Sequence, residues 1–229
     1  MKVQLELDPE LVEQSVFLEI RRREREGDAS AARLYRTRID PLYLIRDDPE
    51  RRESAFQREH SEFFESLGLA QKIRSAAAEF TLFEERLDRI VFLRAVKRRQ
   101  EGAELFVLED HGGGGAVIRT AVLRICPERF QDPSRLHGFL WRELRHIADM
   151  VDPCFAYGPD LQTEDLHPAA ENLIRDRYRV LWELYTEARF LAAEGDGQVM
   201  ANGNLTVVRR APSHGSLGFV KPRLHAEPE

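Results

Sequence analysis

The stretch Leu140-Trp141-Arg142-Glu143-Leu144-Arg145-His146 lies at the centre of the segment on which the reading of this chain turns. From Asp132 to about Asp152 the apolar residues around it recur at helical spacing. At about 100° per residue, Leu136, Leu140, Leu144, Ile147 and Val151 form one stripe, and Phe139 and Met150 widen it. Asp132 suits the N-cap, Pro133 suits the first helical position, and Asp152-Pro153 supplies a stop, so a helix is predicted over this span. On its wheel Glu143 falls between Leu136 and Met150, and His146 sits just beyond Phe139. A carboxylate on a buried face is costly unless it is paired, protonated or near a metal, so Glu143 is expected to have a partner.

Upstream, three runs have strand character: residues 89–96, 104–108 and 116–125, rich in β-branched and aromatic side chains. Gln100-Glu101-Gly102 and His111-Gly112-Gly113-Gly114-Gly115 read as hairpin connections, which predicts a small antiparallel sheet. No Gly-Lys-Ser/Thr follows the glycine run, so it is read as a hairpin tip rather than a phosphate loop.

A small sheet followed by a helix carrying Glu143 and His146 resembles the zincin-type metallopeptidases, whose helix holds the HExxH motif. The resemblance covers about residues 89–193, and its motif is incomplete, because Arg142 stands where the first histidine would be. It implies zinc, with His146 as a metal ligand and Glu143 as the general base that polarises the attacking water. For a third ligand it offers Asp152, at the metzincin-like position, or Glu187 or Glu183 from a second helix, as in gluzincins. That second helix is predicted over about 170–193, where Asp176, Glu183 and Glu187 align within about 40° beside an apolar stripe of Leu173, Val180, Leu184 and Leu191. Asp149 occupies the place of the metzincin turning glycine, which counts against Asp152.

Arginine has no acceptor and a permanent charge, so Arg142 cannot ligate zinc. Two functions follow. One is a zinc-dependent peptidase with an altered metal site. The alternative is a catalytically inactive zincin-fold binding or structural module without metal, in which the Arg142 guanidinium pairs with the acids of the former site. In that case loss of Arg142 is expected to strand buried acids at about 3–5 kcal/mol. A plain packed Glu–Arg–His network, unrelated to zincins, would look the same in sequence. A di-iron site wants a second Glu-x-x-His on a helix, and the chain's other such spacing, Glu164-Asp165-Leu166-His167, lies ahead of the predicted second helix rather than on it.

The 229 residues fit one sizeable α+β domain, with 42% hydrophobic and 32% charged residues. We divide them into a helical N-terminal layer (1–80), a zincin-like core (81–193) and a hairpin with a tail (194–229). A net charge of −6 speaks against general nucleic-acid binding, and the Arg21–Arg25 run is interrupted by acids. A peptide or protein, as substrate or partner, is the expected ligand. No signal peptide and no apolar run of about 20 residues is seen, and Cys126 and Cys154 are too far apart for a ribbon, so a cytoplasmic protein without membrane association is expected. In the N-terminal part, helices are predicted over 11–25, 50–67 and 69–80, with Gly27-Asp28 and Gly68 as breaks. Phe56, Phe63 and Phe64 are expected to face the core, with His60 among them packed or exposed rather than a ligand, and Tyr157 to pack in the core or an interface rather than point back toward His146 to stabilise an oxyanion. Asn202-Gly203 predicts a hairpin over about 198–208.

Overall fold

The computed structural model describes residues 3–109, 117–158, 167–195 and 221–222. The predicted hairpin over 198–208, the glycine-rich tip and most of the tail lie outside these residues. The architecture is α+β, a four-stranded sheet with helices packed on one face.

Strand β1 (Gln4–Leu7) enters helix α1 (Pro9–Arg25), whose N-cap Asp8 accepts the Glu10 N–H at 3.0 Å. Helix α2 (Ala29–Ile39) follows directly and is an element the sequence reading did not anticipate. Helices α3 (Pro49–Ser66) and α4 (Leu69–Ala78) are split as expected at Gly68, which takes φ +76°. After the single turn of α5 (Phe83–Arg86) come β2 (Arg89–Arg94), β3 (Gly102–Glu109) and β4 (Val117–Ile125). Helices α6 (Pro133–Val151) and α7 (Pro168–Gly195) follow, and the short strands Tyr157–Gly158 and Lys221–Pro222 form a separate two-stranded pair.

The sheet order is β1-β2-β4-β3, with β1–β2 and β2–β4 parallel and β3–β4 antiparallel. The sheet is therefore mixed rather than antiparallel, and β2 and β3 are not neighbours. Residues 100–102 do not close a hairpin, because Glu101 is anchored beyond the end of β4. Its buried carboxylate accepts the Cys126 N–H at 3.0 Å and two Arg129 N–H groups at 2.9 and 2.6 Å. That anchor carries the chain to the far edge, and β4 then returns between β2 and β3. The β3–β4 pairing is the hairpin the sequence predicts.

Alternation decides which face is covered. Ile90, Phe92, Ala103, Ala121, Leu123 and Ile125 point into the core and are almost fully buried. The same core cluster includes Leu11 and Val16 of α1, Phe63 and Phe64 of α3, Ile73 of α4 and the α6 stripe. The first 80 residues thus share one core with the sheet and also supply its edge strand. His60 is packed, its Nε2 3.1 Å from the Tyr35 hydroxyl, while Phe56 is only half-buried. Among the described residues no helix is long and apolar enough to cross a membrane.

Candidate functional site: the seam between helices α6 and α7

Helix α6 begins as its sequence dictates. Asp132 accepts the Arg135 N–H at 3.1 Å and Pro133 fills the first turn. Leu136, Leu140, Leu144, Ile147 and Val151 are buried against the sheet and α4. The polar residues Arg142, Arg145 and Asp149, together with His146, remain on the side where α7 packs.

Arg142 reaches across that seam to Glu187. Its Nη2 donates to Glu187 Oε1 at 2.8 Å, its Nε donates to Oε2, and its Nη1 donates back to the Gly138 carbonyl at 2.8 Å. The guanidinium lies 4.4 Å from the centre of the Phe190 ring. Gly138 leaves just enough room, since a Cβ there would sit 2.9 Å from Arg142 Nη1. The Glu187 side chain is 42% exposed and that of Arg142 31%. Water can therefore reach the pair, and losing Arg142 belongs with the surface ion pairs at about 1 kcal/mol or less, not with the larger cost expected for stranded buried acids.

Glu143 points the other way, under the sheet. It accepts a backbone hydrogen bond from Ala103, and desolvation pushes its carboxyl up to about 7. Glu101 and Glu183 add to that rise, and Arg129 opposes it. The expected partner is thus a backbone N–H of β3 with Arg129 nearby, and a proton is held more readily than in water. Glu183 lies at the solvent edge of α7, its carboxyl raised by partial desolvation and countered by Arg179.

His146 is buried, with its ring edge-on to Trp182 at 4.9 Å between centroids. Burial lowers its pKa to about 4, against the attraction of Asp149, so the imidazole is neutral at pH 7. Its Nδ1 is buried without a hydrogen-bond partner. Tyr157 packs as expected, 5.7 Å from the Trp182 ring.

Sequence reasoning missed the most deeply buried charge of the seam. Asp149, 2% exposed, accepts an Arg189 Nη1–H at 2.9 Å, a second N–H from Arg189 Nη2 and the Trp182 Nε1–H at 2.9 Å. Arg145 adds an ion pair at 3.3 Å. The available signal was faint: Trp182 and Arg189 stand seven apart on one face of α7, and Asp149 follows His146 by three on α6.

As donors for zinc these residues fit poorly. Arg142 brings a cation in place of a ligand, and both carboxylate oxygens of Glu187 accept from that cation. The Asp152 carboxylate accepts the Cys154 N–H at 2.8 Å, in a turn of its own. Among the described residues no three His, Cys, Asp or Glu side chains converge as a metal set. Comparison of the chain with protein-family models, with curated proteins and with solved structures gave no match.

Proposed function

We propose that the α6–α7 unit is a degenerate HExxH-like module that acts as a binding or structural element toward a peptide or protein, with Arg142 in the role a metal has in zincins. The observation that carries this reading is the Arg142–Glu187 clamp. A guanidinium at the position of the first histidine is held on three of its nitrogens by a carboxylate from the partner helix and by the Gly138 carbonyl. A planar cation bonded in this way bridges the two helices at the place a metal would take, with a contribution of about 1 kcal/mol or less and without needing deprotonated ligands.

A second reading, a zinc peptidase with an altered site, is favoured by different residues. Glu143 has its carboxyl raised to about 7, where a general base is effective, and His146 is neutral with an unpartnered ring nitrogen. Elemental mass spectrometry on untagged protein separates the two. The proposal expects less than about a tenth of a zinc per chain in wild type and in His146→Ala alike. Near-stoichiometric zinc in wild type that is lost in His146→Ala would overturn it in favour of the peptidase. Under the proposal, Arg142→His frees Glu187 and recreates the i, i+4 histidine pair, so zinc uptake is expected to rise in that variant.

A further inference from the structure

Helix α7 is apolar on two opposite sides. It packs on the core through Trp182, Thr186, Arg189 and Phe190. The stripe of Leu173, Val180, Leu184 and Leu191 lies about 180° away from Trp182 on the wheel. Each of these four residues is 51–56% exposed, and Leu181 beside them is 62% exposed. The regular apolar periodicity of this helix therefore faces outward, which is the pattern of a helix that has a partner.

The spacing names the partner. Leu173, Arg177, Val180, Leu184, Glu187 and Leu191 follow the alternating four-three rhythm of a heptad seam. Set two copies antiparallel about a two-fold axis at residue 182. Leu173 then meets Leu191, Val180 meets Leu184, and Arg177 meets Glu187, each of them twice. The stripe is complementary to itself in shape and in charge, as a two-fold interface requires. Arg177 is exposed and forms no ion pair among the described residues. The Glu187 side chain is 42% exposed while both its oxygens accept from Arg142, so Arg177 of the second copy would share that carboxylate. Residues Lys221–Pro222, the described part of the chain beyond α7, pair with Tyr157–Gly158, whose tyrosine lies against Trp182 on the opposite side of the helix.

We infer that this protein forms a homodimer through an antiparallel pairing of the outward α7 stripes, centred on residue 182, with Arg177 of each copy paired to Glu187 of the other. The seam runs about 27 Å from Leu173 to Leu191. The inference does not depend on whether the site behind Glu187 ever bound zinc.

The test uses the full chain. Sedimentation velocity across a dilution series is expected to show a dimer that dissociates to a monomer. Leu184→Asp places a charge in the seam twice per dimer and should weaken it on the order of 100-fold or more. Arg177→Glu, which sets like charges against Glu187, should weaken it by about 10-fold. Both positions are solvent-exposed in the monomer, so the far-ultraviolet spectrum and melting of the monomer should be unchanged. Leu173→Asp gives a second seam variant should Leu184→Asp fold poorly. Register is read in a Cys154→Ser background, since Cys126 is buried and Cys154 exposed. Mixed Val180→Cys and Leu184→Cys chains should form a disulfide-linked dimer under mild oxidation faster than either does alone. A monomer at all concentrations overturns the inference, whatever else then covers the stripe. So does a dimer that Leu184→Asp leaves intact, and Val180→Cys cross-linking faster to itself overturns the antiparallel register.

Discussion

Replacing Arg189 by methionine should be one of the most damaging single substitutions in the α6–α7 seam. The reason lies in what it leaves behind. Asp149 has a side chain only 3% exposed, and Arg189, itself 20% exposed, donates two of its three hydrogen bonds. Methionine keeps much of the stem and removes the charge, so Asp149 is left with the Trp182 N–H and the more distant Arg145. Breaking a buried pair from one side costs roughly 3–5 kcal/mol, and those two surviving contacts place this case near the lower end, at about 3 kcal/mol. Arg142→Met is the internal control. Glu187, at 42% exposure, can recover water, so that substitution should cost about 1 kcal/mol or less. Urea unfolding of wild type and both variants at pH 7.5, with m-values compared to confirm a common unfolded state, measures the difference. Equal costs for the two variants, or an Arg189→Met value within 0.5 kcal/mol or so of wild type, would show that burial does not rank these pairs.

Titration of half-buried Glu143 and buried His146 on α6 should be visible in stability. Folded Glu143 holds its proton up to about 7, above its ordinary 4.5, so its contribution is full below pH 4.5 and is lost as pH rises through 7. Folded His146 titrates near 4, below its ordinary 6.5, so its contribution is full above pH 6.5 and is lost as pH falls through 4. The two slopes oppose each other between pH 4.5 and 6.5. Glu143→Gln removes the falling one, so stability in that variant should climb across this window by up to about 3 kcal/mol, against a flatter wild-type profile. A variant profile parallel to wild type would mean that Glu143 is not desolvated. Trp182→Phe deletes one donor to Asp149 while keeping a ring beside His146, and chemical denaturation should register a loss of about 1–2 kcal/mol.

How much of this was legible in the sequence depends on the range of the interaction that decides each feature. The bounds of α6, the Gly68 break between α3 and α4, and the β3–β4 hairpin follow from capping, φ preference and period, which act over a few residues. Sheet order was not legible, because alternation tells a strand which face to bury and says nothing about its neighbour. The Glu101–Arg129 anchor, formed by residues 28 apart, sends β3 to the edge. The Arg142–Glu187 contact was foreseen as chemistry, since a guanidinium on α6 and acids on α7 invite pairing. Whether water reaches that pair, and so how much it stabilises, required the packed surface. The Asp149–Arg189–Trp182 cluster could not be distinguished from ordinary exposed charges until α7 was docked.

The stripe on α7 draws the boundary most clearly. Its sequence determined that Leu173, Val180, Leu184 and Leu191 share one side of a helix, because the backbone repeat is local and invariant. Which side of that helix meets the core was a contest between this stripe and the face carrying Trp182, Thr186 and Phe190. Only the tertiary structure decided it. The aromatic bulk of Trp182 and Phe190 fills the space beside His146 and Trp141, and Arg189 satisfies a carboxylate that would otherwise be buried alone. The leucines on the other side have no such partner in the core, and the fold leaves them facing out.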